Sequence, residues 1–127
     1  VFFLTWGRKD GDKQNGAQFP NDTFIAMQKR LTEGYRNAAK QAGGAAIIPV
    51  GGIWAEARKQ GKDTNLYAPD GSHPMKTGNY LGACVFYSAF YNAEVKKTDR
   101  KVPDAAAVAK MAVAAQIQPY SGTCRAA

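Results

Sequence analysis

One histidine and two cysteines, with no C-x-x-C pair, are all the imidazole and thiol groups in the 127 residues. That excludes a closed zinc or iron–sulfur centre, and neither a metal nor a cofactor is expected. No stretch approaches the roughly 18 apolar residues of a membrane-spanning helix, so no membrane partner is expected. The opening VFFLTW gives way at once to Gly7, Arg8, Lys9 and Asp10, unlike a signal peptide. Runs of like charge, internal repeats and nucleic-acid-binding motifs are also absent. The basic residues are scattered in pairs, at Arg8-Lys9, Lys29-Arg30, Arg58-Lys59, Lys96-Lys97 and Arg100-Lys101, which argues against a nucleic-acid partner.

What remains is a basic chain of ordinary globular composition, with 17 Lys and Arg against 10 Asp and Glu, a formal charge of +7, and 45% hydrophobic residues. Area scaling allows about two-thirds of the extended surface to be buried, enough for one modest core. One domain is expected over residues 1–119, followed by a loose tail at 120–127. The chain begins without Met inside an apolar run, which suggests that the native start lies upstream or was removed.

Residues 1–6 are apolar on both faces and read as a strand covered on both sides, as in a parallel sheet. Residues 7–20 form a polar loop leaving the carboxyl end of that strand, the usual place for function in an open α/β sheet. Asn21 or Asp22 can cap a helix reaching Ala42, with Phe24, Met27, Leu31, Tyr35, Ala38 and Ala42 at three- and four-residue steps, and Gly43-Gly44 ends it. Residues 45–50 (AAIIPV) read as a second buried strand, with Pro49 near an edge or strand end because it has no N–H to donate. Gly51-Gly52 is expected to turn the chain into a short helix over 53–60, followed by a polar loop over 61–68. The order β-α-β-α implies parallel strands joined by a crossover. Residues 77–92 read as a deeply packed helix, 92–103 as a charged linker and 104–117 as an Ala-rich helix.

The segment richest in chemistry is Asp70-Gly71-Ser72-His73-Pro74. A turn opened at Gly71 can fold the Asp70 carboxylate onto the Nδ1–H of the only histidine, leaving Nε2 outward as a base. Pro74 biases His73 towards an extended backbone. The plainer alternative is that Asp70 caps the following helix or makes an Asx-turn and His73 is an ordinary loop residue.

LYAPDGSHPMKTGNYLGACVFY resembles the last conserved block of the SGNH (GDSL-type) hydrolases, a D-x-x-H followed by a helix. FLTWGRKDGD, a helix with Met-Gln-x-x-Leu and a Tyr, and IIPVGGIW stand in the same order ahead of it, so the resemblance spans residues 2–91. It implies a three-layer α/β/α, flavodoxin-like fold, here a partial sheet of about two parallel strands with flanking helices. It also implies a serine ester hydrolase, acting on a small-molecule or carbohydrate ester, with Asp70 orienting His73 and His73 as general base. The family's habit is export from a bacterial cell.

The family's G-D-S nucleophile block and its oxyanion-hole glycine and asparagine blocks have no counterpart here. Gly11-Asp12 is followed by Lys13, and Asn21-Asp22 is preceded by Phe19-Pro20. The chain therefore reads as the carboxyl-terminal part of a longer hydrolase. Ser72 is too close to His73 along the chain to serve in line, and Ser88 and Ser121 lack a nucleophile elbow.

At the carboxyl end of the first strand, Trp6 is a candidate pocket wall and Arg8 a candidate substrate contact. Tyr67 is a candidate lining residue near the Asp70 turn, whereas Trp54 reads as core. Cys84 reads as a small buried hydrophobe, and a disulfide to Cys124 requires the tail to fold back. The competing reading is a non-catalytic basic α/β module that binds polysaccharide or another polyanion. A third is a chain that self-associates, or pairs with an amino-terminal part, to cover an open sheet edge.

Overall fold

The computed structural model describes residues 1–62, 65–96, 98 and 101–113. The tail 120–127, with Ser121 and Cys124, and the last residues of the expected final helix lie outside them. The fold is mixed α/β and mostly helical: β1 Phe2–Phe3, α1 Phe24–Gln41, β2 Ile47–Ile48, α2 Val50–Lys59, α3 Lys76–Tyr91 and α4 Ala105–Ala112, with a 3-10 turn at Lys13–Asn15. β1 and β2 pair in parallel, Phe2 against Ile47 and Phe3 against Ile48.

The strands are shorter than the apolar runs that announce them. The Leu4 N–H still donates to the Ile48 carbonyl at 3.0 Å, but Pro49 has no N–H to offer and Val50 already belongs to a helix. The Leu4 carbonyl is taken instead by Gly51 N–H, at 2.8 Å from the first turn of α2. The interior strand expected over residues 1–6 is corrected accordingly: Leu4 is buried, but Phe3 is 41% exposed.

Gly51 and Gly52, expected to form a turn, lie inside α2. Gly51 is needed for closeness, because a Cβ there would collide with the Thr5 carbonyl and the Gln28 amide. α1 is capped by Thr23, whose Oγ1 accepts from Ala26 N–H at 3.2 Å, and not by Asn21 or Asp22. Its carboxyl end matches the sequence reading. Gly43 and Gly44 adopt positive φ, and Gly44 N–H closes on the Ala39 carbonyl at 2.9 Å.

The core lies between α2, α3 and α4. Trp54, Ile48, Leu66, Leu81, Val50, Val85 and Val108 are its largest fully enclosed apolar side chains. Each contributes about 1.5–3 kcal/mol by leaving water. Gly78 lets α3 approach, since a Cβ there would stand 2.5 Å from both the Leu66 carbonyl and the Trp54 ring. α3 ends as expected at Asn92, which takes the left-handed conformation. Among the described residues, no helix is long and apolar enough to cross a membrane.

Candidate active site

The 67–74 segment folds back on itself. Tyr67 and Pro74 form an antiparallel bridge. Ala68 N–H donates to the His73 carbonyl at 2.8 Å, and Met75 N–H to the Leu66 carbonyl at 2.9 Å. Gly71 supplies the positive φ, +68°, at the tip. Two bonds from the segment after β1 staple this loop to the body: Lys9 N–H donates to the Gly71 carbonyl at 2.8 Å, and Trp6 Nε1–H to the Ser72 carbonyl at 3.0 Å.

Within the loop Asp70 divides its two oxygens. Oδ1 accepts from the N–H groups of Ser72 and His73 at 2.9 and 3.0 Å, and Oδ2 lies 2.5 Å from His73 Nδ1. The Asx-turn and the Asp–His pair, alternatives on sequence grounds, are therefore both made by one carboxylate. Asp70 does not cap α3, whose first turn receives no side-chain cap. The hydrogen bond from His73, and then those from the two backbone N–H groups, lower the Asp70 carboxyl pKa to about 2. An ionised carboxylate only accepts, so Nδ1 carries the proton and a neutral ring presents its lone pair on Nε2. The His73 side chain is 80% exposed.

The three residues expected to meet substrate fare differently. Trp6 lies flat on the fully buried Trp54, with ring centroids 4.3 Å apart and planes 8° apart, and supports the Asp70–His73 turn through its bond to the Ser72 carbonyl. Arg8 spends Nη1 on Asp12 at 2.9 Å. Tyr67 is 5% exposed, and its hydroxyl donates to the Gly7 carbonyl at 2.8 Å. Its ring packs edge-on against Trp54 and ties strand end to loop from inside.

Two residues that sequence reasoning passed over organise this region. Gln28, buried on α1, accepts from Gly7 N–H at 2.7 Å and donates to the Thr5 carbonyl at 3.2 Å, fixing the backbone after β1. Arg58 Nη1 donates to the Lys9 carbonyl at 2.8 Å. A polar residue one step from the apolar positions of α1 was the available signal for Gln28; nothing local marked Arg58.

Two clefts border α1, and His73 lines neither. One, of about 410 Å³, is mostly apolar and lies between Phe2 and the α1 residues Met27, Leu31 and Tyr35. The other, of about 730 Å³, is charged and includes Lys9, Arg58 and Lys59. Among the described residues no group of three or more His, Cys, Asp or Glu is placed to hold a metal ion. Cys84 is buried in α3, and burial pushes its thiol pKa up, which suits packing rather than reactivity. No family model, curated protein or solved structure gives a significant match to the chain.

Proposed function

We propose that this chain carries the Asp–His half of a serine ester hydrolase of the SGNH type, acting on acetyl or related esters of carbohydrate. The observation that supports the reading most is the Asp70–His73 pair, held by a loop stapled at both Gly71 and Ser72, with the Nε2 edge of the ring in the open. In this reading the serine comes from polypeptide outside these 127 residues and docks over the exposed ring. His73 Nε2 takes the serine proton as the oxygen attacks the acyl carbon, and Asp70 stabilises the imidazolium. The same proton passes to the departing alcohol, and water then releases the acid by the reverse route.

The three-layer SGNH fold belongs to the same proposal. Two parallel strands of two residues each resemble the rim of a larger sheet more than a sheet complete in itself, because a two-stranded sheet leaves both its outer edges open. Further strands beside β1 and β2 would pair those edges.

The test is hydrolysis of p-nitrophenyl acetate by the longest natural form of the polypeptide. His73→Ala is expected to abolish it to within background; activity that survives the substitution overturns the assignment. Polyanion binding that weakens steeply with salt, in a protein without esterase activity, would instead establish the basic binding module.

A further inference from the structure

We infer that the charged cleft on the Lys9 side of the Asp70–His73 turn binds a carboxylate-bearing saccharide, with Lys9, Arg58 and Lys59 as its charge-matching residues. Lys9, Lys13, Arg58 and Lys59 line the cleft together with Asp10 and Asp22. Asp22 is already satisfied: its carboxylate receives Arg30 at 2.6 and 2.8 Å and Asp12 N–H at 2.7 Å. Its side chain is only 2% exposed. Asp10 meets Lys13 at 3.8 Å across open surface, a weak pairing. Lys9, Arg58 and Lys59 therefore face the cleft with no carboxylate partner among the described residues.

Arg58 is fixed before any ligand arrives. Its guanidinium lies 4.0 Å over the Phe24 ring, and Nη1 is held by the Lys9 carbonyl and the Tyr67 hydroxyl at 2.8 and 3.4 Å. Both bonds use Nη1, leaving Nη2 and Nε for a ligand. A guanidinium whose rotamer is already set loses little entropy on binding, and its planar fork suits a carboxylate. Thr23 and Phe24 at the start of α1 form part of the wall, adding the positive end of a helix dipole to the same field.

The cleft, of about 730 Å³, is far larger than one carboxylate needs and falls in the range of small-molecule sites, about 300–1,000 Å³. The exposed Asp10 can accept ligand hydroxyls, and Ile25, 79% exposed, offers an apolar edge. The cleft also shares a residue with the turn, since Lys9 N–H holds the Gly71 carbonyl. The saccharide part of the inference rests on the carbohydrate-ester reading of that turn; the anionic part rests on the cleft alone.

Calorimetric titration of the full natural polypeptide with digalacturonate and trigalacturonate tests the inference, with the methyl esters of the same oligomers and inorganic phosphate as controls. The acids are expected to bind saturably and about tenfold or more tighter than their esters. A Lys9→Gln/Lys59→Gln double variant, both positions being exposed, and separately Arg58→Lys are each expected to weaken acid binding about tenfold. Equal binding of acid and ester, or a double variant that binds as the parent does, overturns the site. Phosphate binding as tightly as the oligomers overturns the saccharide assignment. Loss of galacturonate binding with His73-dependent hydrolysis intact overturns this inference alone. Charge-dependent galacturonate binding without hydrolysis supports it and overturns the esterase reading alone.

Discussion

Asp70 uses one carboxylate to shape its turn and to orient a histidine, and both tasks require it ionised. Its pKa is lowered from 3.8 to about 2, so the carboxylate bonds stabilise the folded turn fully above pH ~4. That contribution is lost as the pH falls through about 2, where the folded form also takes up the proton. Carbon-detected NMR of the Asp70 carboxyl should show this midpoint; an unshifted titration near 3.8 would contradict the geometry. Asp70→Asn keeps the shape but offers an amide in place of an acceptor-only group, so the ring loses its enforced tautomer. Under the proposed esterase reading, hydrolysis by the full polypeptide should then drop by roughly 10⁴-fold, as the same exchange does in a serine-protease triad. Trp6→Phe should preserve the stack on Trp54 while removing the bond to the Ser72 carbonyl. About 1 kcal/mol of stability should go with it, read from urea unfolding.

Elements meet here through small residues and one buried amide. α2 begins against the end of β1 because Gly51 has no side chain, so Gly51→Ala must move the Thr5 carbonyl or displace Gln28. Overpacking of that kind costs about 1–3 kcal/mol, and chemical denaturation should show a lower midpoint with an unchanged slope. Gln28 binds α1 to the backbone leaving β1 on both its donor and acceptor sides. The choice of Thr23 over Asp22 as the α1 cap has a cause two turns into the helix. Arg30 draws Asp22 into a two-pronged ion pair and pushes its carboxyl well below the usual range, leaving the shorter Thr23 hydroxyl to meet Ala26.

Across the whole molecule the stabilising mass is helical, and the sheet mainly aims the loops. Leu81→Ala, in the fully buried face of α3, should cost about 2–5 kcal/mol. That is a large share of the roughly 5–15 kcal/mol typical of a domain. Circular dichroism during urea unfolding should then show a transition shifted to lower denaturant; an unmoved transition would mean that α3 is not part of the cooperative core. The Asp70 turn would loosen with it, since Leu66 and Tyr67, at the foot of the loop, pack in that same core.

The sequence by itself determined whatever is set within a few residues of chain. The Asp70–His73 turn closes across three residues, the period of α1 repeats every turn, and Gly43-Gly44 stops that helix, because each depends on local dihedrals and short-range hydrogen bonds. The β-α-β-α order with a parallel pair was legible for the same reason, each element carrying its own hydrophobic period. Tertiary structure alone decided that Tyr67 is enclosed, that Gly51 lies inside a helix, and that Arg58 reaches the Lys9 carbonyl 49 residues away. Those outcomes follow from how closely helices and strand ends approach. That distance is set by the summed volumes of side chains distant in sequence, which no local pattern records.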